Sequence, residues 1–248
     1  MNNTKLKSTI SGIMLCLITA LLAIYLSDLV GMGLLGFEKS PLSPIIFAIL
    51  LGLIINNMTV ELIKLEPGFN FCIKYVLKLG IIFLGIRLSL LDFVQYGSNS
   101  LIVIIPCILS SIIIITLLKD KFDVSENLSL LIAVGTSICG ATAIVALAPS
   151  INAKKTEITY AIANITVFGL LAMFFYPFIA NNVFSNDLSI GLFLGSSIHE
   201  TAQVAGSGLI YAEQYSRQDV VGIAMLTKLV RNTLMVIVIP YLAHRSLS

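Results

Sequence analysis

Residues 195–204, GSSIHETAQV, place a histidine and a glutamate side by side, and two kinds of chemistry can start from that pair. The first is hydrolytic. His-Glu followed by a second His on the same helical face would hold zinc and supply a general base. Gln203 stands where that second His would be, and the only other histidine in the chain is His244. A catalytic zinc needs three protein ligands and an open position, so no catalytic residue, metal site or cofactor is expected and the chain is not expected to be an enzyme. The second is anion binding. Lys228 and Arg231, in the stretch KLVRN, are three residues apart and share a helix face. Arg offers a planar fork, Lys a compact charge, and Asn232 a further donor. His199 beside Glu200 suits a proton-coupled site.

These residues lie in a chain built for lipid. Of its 248 residues 57% are hydrophobic and 11% charged, against about 25% charged in a soluble domain. A net charge of +2 with scattered Lys and Arg excludes a nucleic-acid partner. Cys16, Cys72, Cys107 and Cys139 sit in apolar segments without a C-x-x-C pair, and such cysteines behave as small hydrophobes. A helical span needs about 20 apolar residues. Candidates run near 10–30, 42–58, 70–92, 99–118, 128–149, 158–180, 189–211 and 220–241. The expected fold is therefore an all-α integral membrane protein of about eight transmembrane helices, some broken or short, forming one polytopic domain over residues 1–248. The first segment is expected to be retained as a span or anchor. The second, flanked by Pro41 and Pro44, reads as a tilted half-span or a re-entrant piece.

With eight crossings, Lys5, Lys7, Lys64, Lys119, Lys121 and Arg245 fall on one side and Lys39, Lys154, Lys155 and Arg217 on the other. The excess favours both termini inside, and a re-entrant second segment would exchange the sides after it.

Two stretches match without gaps. GTSICGATAIVA (135–146) aligns on GSSIHETAQVAG (195–206), with Gly135/Gly195, Ser137/Ser197 and Ile138/Ile198 in register and Ala143/Ala202 one position off. Small and hydroxyl residues in both suit a broken helix lining a polar cavity, which a membrane protein tolerates where lipid is excluded. Gln203 shares a helix face with both His199 and Glu200. The candidate substrate-binding residues are thus Ser137, Cys139, Ser197, His199, Glu200, Gln203, Lys228 and Arg231, with Lys78 and Arg87 secondary. Ionisable groups inside a membrane cost about 2.5–3.5 kcal/mol each on insertion scales. Four cations stand against Glu200 here, so the expected ligand is a small inorganic or organic anion. Lys78 and Arg87 point nearly opposite ways at 100° per residue and need not share one site. A structural pairing of Lys228 or Arg231 with Glu200 is the alternative role.

GTSICGATAIVALAP, IHETAQVAGSG, KLVRN and the preceding KYVLKLGIIFLGIRLSL together resemble the YeiH family of bacterial inner-membrane proteins, in order from about residue 40 to 241. The resemblance implies a multi-pass plasma-membrane protein similar in fold to inverted-repeat transporters. It also implies a role in moving sulfate, sulfonate or a similar anion, since members carry the label of sulfate exporter. Members of that family continue for further spans. The resemblance therefore leaves two expectations open: a shortened transporter, with a homodimer or partner chain supplying those spans, or a non-transporting assembly subunit of a membrane complex.

Overall fold

The computed structural model describes residues 3–30, 44–58, 60–76, 79–80 and 90–247. These divide into two compact units, Met1–Arg87 with Ala212–Ser216, and Leu88–Tyr211 with Arg217–Ser248. Among the described residues there is no strand. Among the described residues, four helical stretches are long and apolar enough to cross a membrane: Leu6–Asp28, Tyr96–Leu118, Lys155–Val183 and Asp219–His244.

In the first unit, α1 (Asn3–Asp28) packs against α2 (Pro44–Met58) and α3 (Glu66–Phe71). Pro44 opens α2, a position where its missing N–H costs no helical bond. Fifteen residues rise about 22 Å, less than the roughly 30 Å of a bilayer's hydrocarbon core. Gly12 and Gly68 allow α1 and α3 their close approach: a Cβ on Gly12 would lie 2.8 Å from the Gly68 Cα. Of the expected span over 70–92, residues 77–78 and 81–89, with Lys78 and Arg87, lie outside the described residues.

The second unit holds α4 (Leu90–Leu118), α5 (Glu126–Ser137), α6 (Ala141–Leu147), α7 (Lys155–Val183), α8 (Asp187–Ser197), α9 (Thr201–Tyr215) as far as Tyr211, α10 (Asp219–Thr233) and α11 (Met235–Leu247). The segments expected as spans over 128–149 and 189–211 are not continuous helices. Each is a helical hairpin whose arms begin and end at the same end of the unit. In α5–α6, a Cβ on Gly135 would lie 2.9 Å from Ile144 Cδ1, whereas nine residues of continuous helix would separate them by about 13 Å. Ser125 caps α5 by accepting from Leu128 N and donates to Glu157 Oε1 at 2.5 Å, so α5 and α7 begin at the same end.

The α8–α9 hairpin is tied in the same manner. Asn186 caps α8 through Ser189 N at 2.7 Å, and Arg217, just past α9, pairs with Asp187 at 2.5 Å. Gly191 faces Ile223 and Gly195 faces Thr227, so α8 runs parallel to α10. Gly208 faces Val221 across a three-residue connection, so α9 runs antiparallel to α10 and thus to α8. The uninterrupted α7 connects the base of one hairpin to the base of the other over about 43 Å. The hairpins therefore insert from opposite ends of the unit and meet tip to tip. Small residues at 135–143 and 195–202 permit the sharp turns. Gly140 sits at φ +68°, a region that favours glycine.

This folding regroups the loop charges. Lys119, Lys121, Lys154 and Lys155, split between two sides when 128–149 is counted as a crossing, lie at one end of the second unit, and Arg217 lies at the other. By the positive-inside rule the lysine end is expected to face the cytoplasm. In a background with its four cysteines replaced, Asn152→Cys is expected to react with an impermeant maleimide only after spheroplasts are opened. Gln218→Cys should react in intact spheroplasts, and the opposite pattern would refute the assignment.

Candidate functional site

The hairpin tips are two helix breaks, at residues 138–140 and 198–200. A helix C-terminus leaves its last carbonyls without intrahelical partners and carries about half a negative charge. Two such ends, those of α5 and α8, meet here. The buried side chains of Lys228 and Arg231 on α10 satisfy both. Lys228 Nζ donates to Ile138 O at 2.8 Å, to Ile198 O at 3.1 Å and to His199 O. Arg231 Nε donates to Ser137 O at 2.7 Å. Its Nη1 reaches Ser196 O at 2.6 Å and Ile198 O at 3.4 Å, and its Nη2 reaches Thr136 O. Each cation bridges one hairpin to the other.

α10 can deliver these groups because it is packed closely on both sides. Gly195 sits where a Cβ would lie 2.7 Å from Thr227 Cβ. Thr227, itself buried, exchanges a hydrogen bond of 3.0 Å with Ser100 of α4. That contact sets the depth of Lys228, the next residue. The three-residue spacing of Lys228 and Arg231 keeps both on the face turned to the tips, as the sequence predicts.

The remaining expected residues gather round this clasp in different roles. Ser137 and Ser197 direct their hydroxyls to carbonyls of their own helices, Val134 O and Phe193 O. Cys139 turns toward Met235 of α11, at 3.8 Å between sulfurs. Glu200 is half-buried, and its Cγ would lie 2.9 Å from a Cβ on Gly140, so it crosses from the second tip to the first. Among the described residues no carboxylate forms an ion pair with Lys228 or Arg231. Gln203 donates to Thr166 O on α7 at 3.3 Å, and its buried Oε1 lies against Gly169 without a hydrogen-bond partner. It does not share a helix face with His199 and Glu200, because the break puts those two residues ahead of the first turn of α9. Asn232 donates to Thr201 Oγ1 at 3.4 Å.

His199 lines a cleft of about 410 Å³ between the tips and α7, with Thr136 and Asn164 nearby. Its Nδ1 is enclosed and has no partner. Among the described residues no three His, Cys, Asp or Glu side chains gather to hold a metal ion. Sequence reasoning about side chains misses Thr136, Ile138, Ser196 and Ile198, which act through main-chain oxygens. The aligned stretches contain all four, so the repeat carries a signal for them, but not for what they do.

Compared with known proteins, the chain matches the family described as conserved hypothetical protein 698 over residues 11–247. It is 33% identical over 225 residues to the UPF0324 membrane protein SAG1125 of Streptococcus agalactiae, covering 91% of this chain and 64% of that protein. It is 30% identical to a UPF0324 membrane protein of Clostridium tetani, over 94% of this chain and 65% of the relative. It is also 34% identical to the UPF0324 inner membrane protein YeiH of Escherichia coli, over 67% of this chain and 49% of the relative. The chain thus spans about two thirds or less of the length of these relatives. No solved structure matches it.

Proposed function

Since the chain belongs to the UPF0324 membrane protein family, we propose that it is a multi-pass inner-membrane transporter of a small anion such as sulfate or a sulfonate, coupled to protons. The observation that carries this reading is the meeting of two oppositely inserted hairpins around two buried cations. Such an arrangement gives a mid-membrane site whose two sides belong to different hairpins, so that one can move while the other holds. The charge balance suits an anion that enters together with a proton. Lys228 and Arg231 bring two positive charges, of which the two helix ends offset about one and Glu200, the carboxylate of the tips, the other, so an anion accompanied by a proton leaves the site neutral.

Glu200 and His199 are the proton-carrying candidates. Glu200 lies near Cys139 and Lys228, with the Gly140 turn against it. In proteoliposomes, saturable uptake of labelled sulfate or methanesulfonate is expected to rise on imposing a pH gradient. Glu200→Gln should remove most of that dependence on the gradient while leaving ligand binding within about threefold. Unchanged ligand binding by Lys228→Ala and Arg231→Ala proteins that remain folded would overturn the site, and absence of any anion flux would overturn the function. The second reading, an assembly subunit completed by a second copy or a partner chain, rests on the chain's coverage of its relatives. Co-purification of a second membrane protein, with no flux from this chain alone, would favour it.

A further inference from the structure

The shape and lining of the cleft beside His199 carry more than a preference for negative charge. Its volume, about 410 Å³, falls in the range of about 300–1,000 Å³ typical of sites for small organic ligands. Its polar end is built from three elements: Thr136 from the first tip, His199 from the second and Asn164 from α7. The carbonyl of Thr136 is held by Arg231 and that of His199 by Lys228. The cation pair therefore stands directly behind the polar end, separated from the cleft by main chain. The long wall is different in character. Phe168, Leu171 and Phe175 follow Asn164 on α7 at steps of four, three and four, one stripe of the helix. Phe168 and Phe175 keep 58% and 59% of their surface exposed on a helix long and apolar enough to cross a membrane, so a ligand body on this wall would take the place of lipid.

Inorganic sulfate would use the polar end and leave the wall to lipid. An anion with an apolar body would use both. Resting on the anion-transport reading above, we propose that the cleft binds organic anions with a compact charged head and an alkyl or aryl body. The head lies at Thr136, Asn164 and His199, and the body lies along Phe168 and Phe175. Sulfonates and carboxylates of that form share the required chemistry. Burial of each added methylene along the wall should tighten binding roughly fourfold, the equivalent of about 0.8 kcal/mol.

The chain has no tryptophan, so Phe168→Trp in otherwise native protein places a single indole reporter in the cleft. In nanodiscs this variant would be titrated with sulfate and with alkanesulfonates from methyl to hexyl. The expected result is a saturable fluorescence change whose dissociation constant falls roughly fourfold per methylene. Sulfate should bind more weakly than butanesulfonate. Adding His199→Ala or Asn164→Leu should weaken butanesulfonate binding at least tenfold without altering the chain-length slope. Val236→Trp, on a position 77% exposed, reports partitioning into lipid. An equal response there, or a dissociation constant independent of chain length, would overturn the proposal. Sulfate flux in proteoliposomes separates the two readings. Flux without a chain-length effect would remove the organic-anion cleft and leave the transporter, whereas length-dependent binding without flux would do the reverse.

Discussion

Replacing Lys228 with methionine is expected to destabilise the second unit by about 2–6 kcal/mol, the cost of leaving two buried carbonyls without donors at about 1–3 kcal/mol each. Methionine keeps an unbranched apolar side chain but donates nothing. Ile198 O would retain its Arg231 bond, while Ile138 O and His199 O would have no donor among those described. The result to look for is earlier loss of the monodisperse peak after heating in detergent, together with faster proteolysis near residues 138–140 and 198–200. Arg231→Lys makes the complementary test. It keeps the charge but not the fork that binds Thr136 O, Ser137 O and Ser196 O at once, so it should be nearly as damaging. Wild-type thermal behaviour in both variants would show that the cations do not hold the tips together.

A comparably large effect is expected at Gly195. An alanine there would press its methyl into the α10 main chain at Ala224 and into Thr227, whose Cβ would be 2.7 Å away. Neither neighbour is the loose end of a long side chain. Overpacking of this kind costs about 1–3 kcal/mol or more. Displacing α10 also withdraws Lys228 and Arg231 from the tips, so Gly195→Ala should lower stability and ligand binding together. Gly52→Ala supplies the contrast. Nothing lies within 4 Å of a Cβ at that position on α2, and alanine is the better helix former by about 1 kcal/mol. Equal behaviour of the two variants would mean that the close approach of α8 and α10 is unimportant.

Much of this arrangement is legible in the amino-acid sequence. Lys228 and Arg231 stand out because buried cations are costly, and the aligned stretches mark the two places where helix gives way to something else. The reversal of the chain at those places is not legible. A break continued in the same direction and a break that folds back use the same small residues, and only the proximity of Gly135 to Ile144, or of Arg217 to Asp187, separates them. Counting 128–149 as a crossing therefore separated lysines that belong together. The partners of the cations were hidden for a related reason. Every residue has a carbonyl, so a site made from main-chain oxygens leaves no particular residue type behind. The equivalence of the two tips is also less complete than the alignment implies, since Gly140 turns with a positive φ and its aligned counterpart Glu200 does not.

Because Lys228 and Arg231 hold main-chain oxygens, the lock is blind to the identity of the side chains it fastens. Cys139, His199 and Glu200 can be exchanged without removing a bond from it. A protein organised in this way can change what it recognises while its frame stays put, and its ligand preference becomes evolvable separately from its architecture. A library randomised at 139, 199 and 200 should accordingly yield many folded proteins with different ligands, whereas one randomised at 228 and 231 should yield few that fold.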